Sequence, residues 1–248
     1  MQHKQRFTNV TLVTPYGEED KDLLIDGDKI VDILNPNENI SDDWKIIDGQ
    51  NNFIFPGMID VLQHGFLNYL YGHAEENCTV DNSKILPSVG VTGFLPSTPC
   101  LPPEKTKTLL NALSNDIDKA KEGARVLGIH SEGPCFALPG AHDPKNLRNP
   151  SVPLAEELLD ACQGKLKALT LAPEMNGSEE FIKRLKKEKI SIHLGHSGAN
   201  PIDVPKFADW GVDAVTHMYD ALPTYPPDDT GVHVLSLTDA LIAETRIA

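Results

Sequence analysis

The sequence is short of the features that mark membrane-spanning, secreted and disulfide-bonded proteins. No apolar run approaches the roughly 18 residues of a membrane span, and the charged start leads into no apolar segment typical of a signal peptide. The four cysteines show no C-x-x-C spacing. We therefore expect a cytoplasmic protein with no membrane partner, in which the cysteines are reduced thiols with a structural role.

Positive charge is also scarce in this chain. Lysine and arginine together number 22 against 36 aspartates and glutamates, which gives a formal net charge of -14. Nucleic acid recognition normally needs a basic surface, so we expect no nucleic acid partner. With 248 residues, of which 40% are hydrophobic, the chain has enough apolar mass for a large core.

The pattern of apolar residues changes near Pro56 and predicts two domains. Residues 1–54 contain short alternating runs and an Asp26-Gly27 hairpin signal, which predict a small, sandwich-like β-sheet domain. Residues 55–248 alternate apolar runs with helical segments, as in βα units on a parallel sheet. Six predicted strands lie at 55–61, 91–95, 126–129, 168–171, 190–194 and 214–216. The predicted fold is therefore α/β, a (β/α)8 barrel that is incomplete, since a closed barrel needs eight units.

Three residues with metal-binding side chains end separate predicted strands. Glu132, His196 and His217 each follow an apolar run, where a barrel of this type presents its functional side chains. One carboxylate and two imidazoles suit zinc or another divalent ion, with a further position open for water. Taken singly, each residue has a structural alternative: a buried salt bridge for the glutamate, and a packed imidazole for each histidine. Their shared position at strand ends favours the metal site.

Six segments, in order, resemble the N-acetylglucosamine-6-phosphate deacetylases of the amidohydrolase superfamily. They span the chain from Phe55 to about Gly231, and each coincides with a predicted strand end. The matching segments are Phe55-Pro56-Gly57-Met58-Ile59-Asp60-Val61, Gly90-Val91-Thr92-Gly93-Phe94-Leu95-Pro96-Ser97-Thr98, Leu127-Gly128-Ile129-His130-Ser131-Glu132-Gly133-Pro134, Leu171-Ala172-Pro173-Glu174, Leu194-Gly195-His196-Ser197 and Thr216-His217-Met218-Tyr219-Asp220-Ala221. Gly140-Ala141-His142 matches a further motif that contacts the substrate in this family.

This resemblance implies an activity and a role for each matching residue. Glu132, His196 and His217 would hold one divalent ion, most often zinc, which activates water for attack on the N-acetyl group of N-acetylglucosamine 6-phosphate. The products would be glucosamine 6-phosphate and acetate, in amino-sugar catabolism. The residues expected to contact the substrate are His64, Ala141, His142, Asp220 and Ala221. Family members commonly dimerise, so a homodimer is an expectation that the sequence leaves open.

Several positions depart from the family pattern. Leu62 replaces the first histidine of the His-x-His pair that builds a second metal position in many amidohydrolases, so we expect a mononuclear site. Asp220 stands where asparagine is frequent, and Pro226-Pro227-Asp228-Asp229 offers no counterpart to the family's phosphate-binding arginine. Added negative charge and the loss of a guanidinium would both weaken recognition of a phosphate.

The family's general base is an aspartate on the eighth strand, which is expected to lie beyond the end of this chain. Asp239, in Leu237-Thr238-Asp239-Ala240, resembles that catalytic segment, but a gapless alignment places it in a loop before the seventh strand. We favour the loop, and so expect a C-terminally truncated chain. Two functions stay open: a deacetylase, or an inactive homologue that binds metal, sugar or a partner chain. A metal-dependent hydrolase of a different amide is a third interpretation.

Overall fold

A computed structural model of the chain describes residues 4–41, 43–73, 77–222, 231 and 234–248. The chain divides into two compact units, Met1–Gly57 and Met58–Ala248. This division lies three residues after the domain boundary predicted from the sequence. In the described part of the chain, no helix combines the length and the apolar composition needed to span a membrane.

The first unit is a five-stranded sheet. Its strands are β1 (Lys4–Thr14), β2 (Gly17–Asp20), β3 (Asp22–Asp26), β4 (Lys29–Leu34) and β5 (Lys45–Ile54). Four of them pair in the antiparallel order β2-β1-β3-β4, whereas β5 runs parallel to β1. Asp26 pairs with Lys29 across the β3–β4 turn, so the predicted hairpin is confirmed.

The second unit contains strands that alternate with helices along the chain. The strands are β6 (Met58–Gln63), β7 (Gly65–Phe66), β8 (Tyr69–Leu70), β9 (Val91–Thr98), β10 (Arg125–Val126), β11 (Ile129–Glu132), β12 (Leu166–Leu171), β13 (Ser191–Leu194) and β14 (Ala214–Val215). The helices are α1 (Cys78–Ile85), α2 (Pro103–Lys119), α3 (Val152–Ala161), α4 (Ser178–Lys186), α5 (Val204–Trp210) and α6 (Leu237–Ala243). Short 3₁₀ turns occupy 71–73, 86–89, 144–146 and 201–203.

The main sheet is parallel and follows the order of the sequence. On one side β9 pairs with β6; on the other it pairs first with β10 and then with β11, which share one strand position. From there β12, β13 and β14 follow in turn. Neighbouring parallel strands joined by helices form a curled half-barrel with six strand positions. The predicted barrel fold with about six βα units is therefore confirmed.

The core of the second unit lies between the sheet and the helices that connect its strands. Leu169 on β12 and Ile192 on β13 are fully buried against helix residues such as Leu158 and Phe181. Apolar residues about three to four positions apart give α3 and α4 the buried face that packs on the sheet. The four cysteines are buried and none forms a disulfide, as predicted from their spacing.

The structure differs from the sequence prediction at Asp239. This residue does not lie in a loop, because it belongs to the first turn of α6. Its Oδ2 accepts hydrogen bonds from the backbone N–H and the hydroxyl of Ser236, at 2.9 and 2.6 Å, while its own N–H donates to the Ser236 hydroxyl. This capping box satisfies N–H groups at the start of α6 and explains why a helix begins there.

Core packing gives a first testable prediction. Replacing the fully buried Ile192 by alanine should lower the free energy of unfolding by about 2–5 kcal/mol, because it removes buried methyl groups and leaves a cavity. Ile202 is 76% exposed, so Ile202→Ala is the matched control and should change stability by about 0.5 kcal/mol or less. Urea unfolding would measure both variants. Equal losses of stability would contradict this account of the core.

Candidate metal centre

Three of the predicted site residues come together at the carboxyl ends of the parallel strands. Glu132 is the last residue of β11, while His196 and His217 each follow the end of a strand by two residues. Glu132 and His196 are buried, and His217 is partly buried. Each offers one ligand atom, and these three atoms lie within 4.8 Å of one another. The structure thus forms a candidate metal-binding group from residues far apart in the sequence.

Hydrogen bonds define which nitrogen of each histidine faces the group. The Nδ1 atoms of His196 and His217 lie 3.1 Å from the backbone carbonyls of Leu138 and Asp220. A carbonyl oxygen can only accept, so both Nδ1 atoms carry the proton. In the neutral rings, the Nε2 lone pairs then point into the group. A backbone partner that fixes the tautomer in this way is typical of metal-binding histidines.

The spacing of the three inner atoms fits one tetrahedral ion. The Nε2 atoms of His196 and His217 are 3.1 Å apart, and lie 3.5 and 3.2 Å from Oε1 of Glu132. Ligands about 2.0–2.1 Å from a tetrahedral zinc ion would be about 3.3–3.4 Å from one another. Three lone pairs at this distance repel one another unless a proton or a cation lies among them. The donor set and its spacing therefore suit a divalent ion.

The other oxygen of Glu132 contacts two further histidines. Its Oε2 lies 3.2 Å from His64 Nε2 and 3.3 Å from His142 Nε2. The Nδ1 of His142 accepts the backbone N–H of Cys100, so the neutral ring carries its proton on Nε2 and donates it to Glu132. Both histidines were predicted as substrate contacts. The structure places both beside the candidate ligand Glu132, and that role stays a prediction.

Charge within this cluster is strongly coupled. Burial acts to raise the pKa of Glu132, but its contacts with the four surrounding histidines outweigh burial and hold that pKa well below its ordinary value of 4.5. The contact with Glu132 favours the protonated form of His64 and of His217 and raises their pKa values above 6.5, against the opposing effect of burial. His130, buried two residues before Glu132, behaves differently, because burial lowers its pKa to about 3.

The segment after β11 encloses His196. The N–H groups of Ala137 and Leu138 both donate to the carbonyl of His196, at 3.1 and 2.9 Å. Phe136 stacks on the imidazole with ring centroids 4.1 Å apart and planes inclined by 21°. Neither Phe136 nor Leu138 was predicted from the sequence, because their segment shows no helix or strand period. Only their position directly after the Gly133-Pro134 motif linked them to the site.

A second carboxylate fixes the turn that follows His196. Glu174 follows β12 by three residues, and its two oxygens accept the Ser197 hydroxyl and the Gly198 N–H, each at 2.7 Å. The sequence placed Glu174 in a family motif without a role. The structure shows that it ties the end of β12 to the His196 loop.

Both candidate histidine ligands have strained backbones. The φ angles are +52° at His196 and +34° at His217, in the region that favours glycine. Such conformations cost of order 1–3 kcal/mol each and persist where the surrounding contacts determine them, often at functional sites. The hydrogen bonds that hold both residues supply such contacts.

The remaining predicted contacts lie around this group. Asp220 is exposed, and its Oδ1 accepts the N–H of Ala221, which also has a positive φ of 51°. Ala141 is exposed beside His142. The Pro226-Pro227-Asp228-Asp229 segment lies outside the described residues. The assignment of these residues to a substrate stays a prediction.

Known proteins resemble this chain over nearly all of its length. The N-acetylglucosamine-6-phosphate deacetylases of Danio rerio and Homo sapiens are 29% and 30% identical over 248 and 252 residues, which is 95% and 96% of this chain. The solved structure of N-acetylglucosamine-6-phosphate deacetylase from Pasteurella multocida matches 97% of it with a TM-score of 0.83 and 25% identity. No family model matches the chain. The resemblance predicted from the sequence is confirmed.

The match covers only part of each of these proteins. The chain spans about 60% of the length of the two relatives and 62% of the solved structure. The matched part contains the candidate metal-binding group.

The coupled charges predict how stability depends on pH when no metal is present. Glu132 contributes stability above pH 4.5, and loses it as the pH falls through its lowered pKa. His64 and His217 contribute stability below pH 6.5, and lose it as the pH rises through their raised pKa values. The melting temperature of the metal-free chain should therefore fall as the pH increases above 6.5.

The matched control for this prediction is a glutamate outside the cluster. Glu132→Gln should remove most of the fall above pH 6.5, whereas Glu156→Gln, which breaks an ion pair with Arg184, should retain it. Excess zinc should stabilise the parent increasingly over the same range, because metal binding needs neutral histidines. An identical pH slope in the parent and in Glu132→Gln would show that the cluster is not its source.

Proposed function

We propose that this chain is the metal-binding part of an N-acetylglucosamine-6-phosphate deacetylase, which hydrolyses the N-acetyl group to give glucosamine 6-phosphate and acetate. One observation carries the proposal: three lone pairs of Glu132, His196 and His217 converge at tetrahedral spacing on the strand ends of a half-barrel. The similarity to proteins of that name supports the choice of substrate. We further propose zinc as the ion and the cytoplasm as the location.

The chain's own residues would prepare the site for this reaction. Glu132 Oε1 and the two Nε2 atoms would hold the ion, while Leu138 and Asp220 carbonyls keep both histidines in the binding tautomer. When bound, a divalent ion supplies Lewis acidity, which polarises the amide carbonyl and lowers the pKa of water. His142, whose Nε2–H donates to Glu132, would contact the sugar together with the peptide at Ala141.

Hydrolysis also requires a proton transfer. Water adds to the carbonyl carbon, the C–N bond breaks, and the amine must gain a proton before it leaves. Asp239 is not assigned this role, because its Oδ2 accepts the hydrogen bonds of the capping box at α6. A turnover measurement decides whether the chain supplies the group that is needed.

The first experiment measures acetate release from N-acetylglucosamine 6-phosphate by the purified, zinc-loaded chain. We expect turnover in the parent and in Glu156→Gln. Glu132→Gln should lose both zinc binding and turnover. Zinc binding without turnover would overturn the proposed activity and favour an inactive homologue that binds metal or sugar. Release of acetate from unrelated acetamides at the same rate would favour a hydrolase of a different amide.

The charge at Asp220 predicts a change in substrate preference. Asp220→Asn keeps an Oδ1 acceptor for the Ala221 N–H but removes a negative charge near the expected place of the phosphate. A unit charge about 4 Å away in water is worth about 1 kcal/mol, or about fivefold in affinity. The variant should therefore bind N-acetylglucosamine 6-phosphate about fivefold more tightly.

Its control is a substrate without the charge. Affinity for N-acetylglucosamine should be unchanged by Asp220→Asn, and calorimetry measures both dissociation constants. An equal effect on both sugars would place the phosphate away from Asp220.

A further inference from the structure

A chain of buried hydrogen bonds crosses the half-barrel beneath the candidate metal site. The Nδ1 of His130 on β11 lies 2.6 Å from the Val61 carbonyl on β6, and its Nε2 lies 2.8 Å from the hydroxyl of Thr170 on β12. The Thr170 hydroxyl in turn lies 2.7 Å from that of Thr216, directly after β14. The side chains of His130, Thr170 and Thr216 are all buried. Four strand positions are thus joined by side-chain hydrogen bonds.

The direction of every hydrogen bond in this chain follows from the groups at its ends. The Val61 carbonyl can only accept, so the proton of the neutral His130 ring is on Nδ1 and its Nε2 accepts from Thr170. Thr170 has then used its proton, so its oxygen accepts the proton of Thr216. The Thr170 hydroxyl donates to His130 and accepts from Thr216, the Thr216 hydroxyl donates, and with a neutral His130 ring no other arrangement satisfies all three bonds.

Three residues of this hydrogen-bond series are close in sequence to residues of the candidate metal site. Val61 precedes His64 by three residues, His130 precedes Glu132 by two, and Thr216 is adjacent to His217. Strand β13, which precedes His196, contributes no side chain to these hydrogen bonds but packs against two of their residues. A Cβ on Gly195 would lie 2.7 Å from Thr170 Cγ2 and 3.2 Å from Thr216 Cβ, so only glycine fits between the two threonines.

We propose that Thr170 is a positioning residue for the metal site, whose hydroxyl links His130 to Thr216 and so aligns the strand ends that carry Glu132, His196 and His217. This inference rests on the proposed function, because it concerns the ion that this function requires. Thr170 is not one of the three candidate ligands and would act through the residues that hold the ion. Direct hydrogen-bond partners of metal ligands typically contribute 10–100-fold to metal affinity, and Thr170 acts one contact further out, through His130 and Thr216, so we expect an effect at the lower end of that range.

Packing alone would not need this arrangement. Valine has nearly the shape of threonine and would fill the same space, whereas buried hydroxyl and imidazole groups destabilise the core unless each is paired. A fully paired polar chain specifies one relative placement of its strands, while apolar side chains allow small shifts. The strained φ angles at His196 and His217 make such placement important, since the backbone there does not hold its conformation unaided.

The test compares two substitutions at one position. Thr170→Val removes the hydroxyl and keeps the shape, and Thr170→Ser keeps the hydroxyl and removes a methyl group. Thr79→Val is the matched control, because the buried Thr79 hydroxyl has no hydrogen-bond partner among the described residues. Zinc dissociation constants are measured by competition with a chromophoric chelator, and urea unfolding shows that each variant is folded.

We expect zinc affinity to fall only in the variant that lacks the Thr170 hydroxyl. Thr170→Val should bind zinc about tenfold more weakly than the parent, whereas Thr170→Ser and Thr79→Val should stay within about threefold. Unchanged affinity in folded Thr170→Val would overturn the inference. A loss in Thr170→Ser equal to that in Thr170→Val would also overturn it, because the methyl group would then be the cause.

A second measurement needs neither metal nor turnover. Nitrogen-15 spectra of the histidine rings in the metal-free chain, at a pH where His217 is neutral, report which nitrogen carries the proton. Thr170→Val should convert the single Nδ1–H tautomer of His217 to an exchanging mixture, and Thr170→Ser should preserve it. An unchanged His217 spectrum in Thr170→Val contradicts the inference. Failure of the proposed function is seen separately, as absent acetate release by the parent.

Discussion

The repulsion among three converging lone pairs is the constraint on which the site depends. Glu132 Oε1 and the Nε2 atoms of His196 and His217 lie 3.1–3.5 Å apart, with Glu132 and His196 buried and His217 partly buried. A proton or a cation must compensate them, and the contact with Glu132, which raises the pKa of His217, favours a proton there when no metal is bound. The same charge balance makes the group suitable for a divalent ion. Stability and ion binding therefore involve the same three atoms.

Holding these atoms together requires contacts from several parts of the half-barrel. Phe136 and Leu138 hold His196 from the segment after β11, and Glu174 fixes the turn that follows it. The hydrogen-bond chain through Thr170 lies below, within the sheet. None of these residues faces the group as a candidate ligand. Their contacts offset the conformational free energy of the positive φ angles at His196 and His217. Residues from several elements of the fold are thus needed to place three ligand atoms.

The sequence predicted the half-barrel and the three candidate ligands for one physical reason. Parallel strands are apolar throughout, and their carboxyl ends meet at one edge, so residues such as Glu132 and His217 could be placed together without a structure. Phe136, Leu138 and the Cys100 N–H could not be predicted, because loop segments have no period and a backbone donor leaves no mark in the sequence. The α6 capping box, in contrast, could have been predicted, because Ser236 and Asp239 have the spacing of a helix start. The comparison with the family's catalytic segment led to a loop being predicted there instead.

The two oxygens of Glu132 have different neighbours, and this difference favours a site for one ion. Oε1 faces lone pairs, whereas Oε2 accepts the Nε2–H of His142, a ring that cannot offer a lone pair there because its Nδ1 accepts from Cys100. Leu62, on β6, has no ligand atom, and His64, which follows that strand, is the histidine that lies beside Oε2. With Oε2 engaged by hydrogen bonds, the carboxylate stays turned so that Oε1 points at His196 and His217.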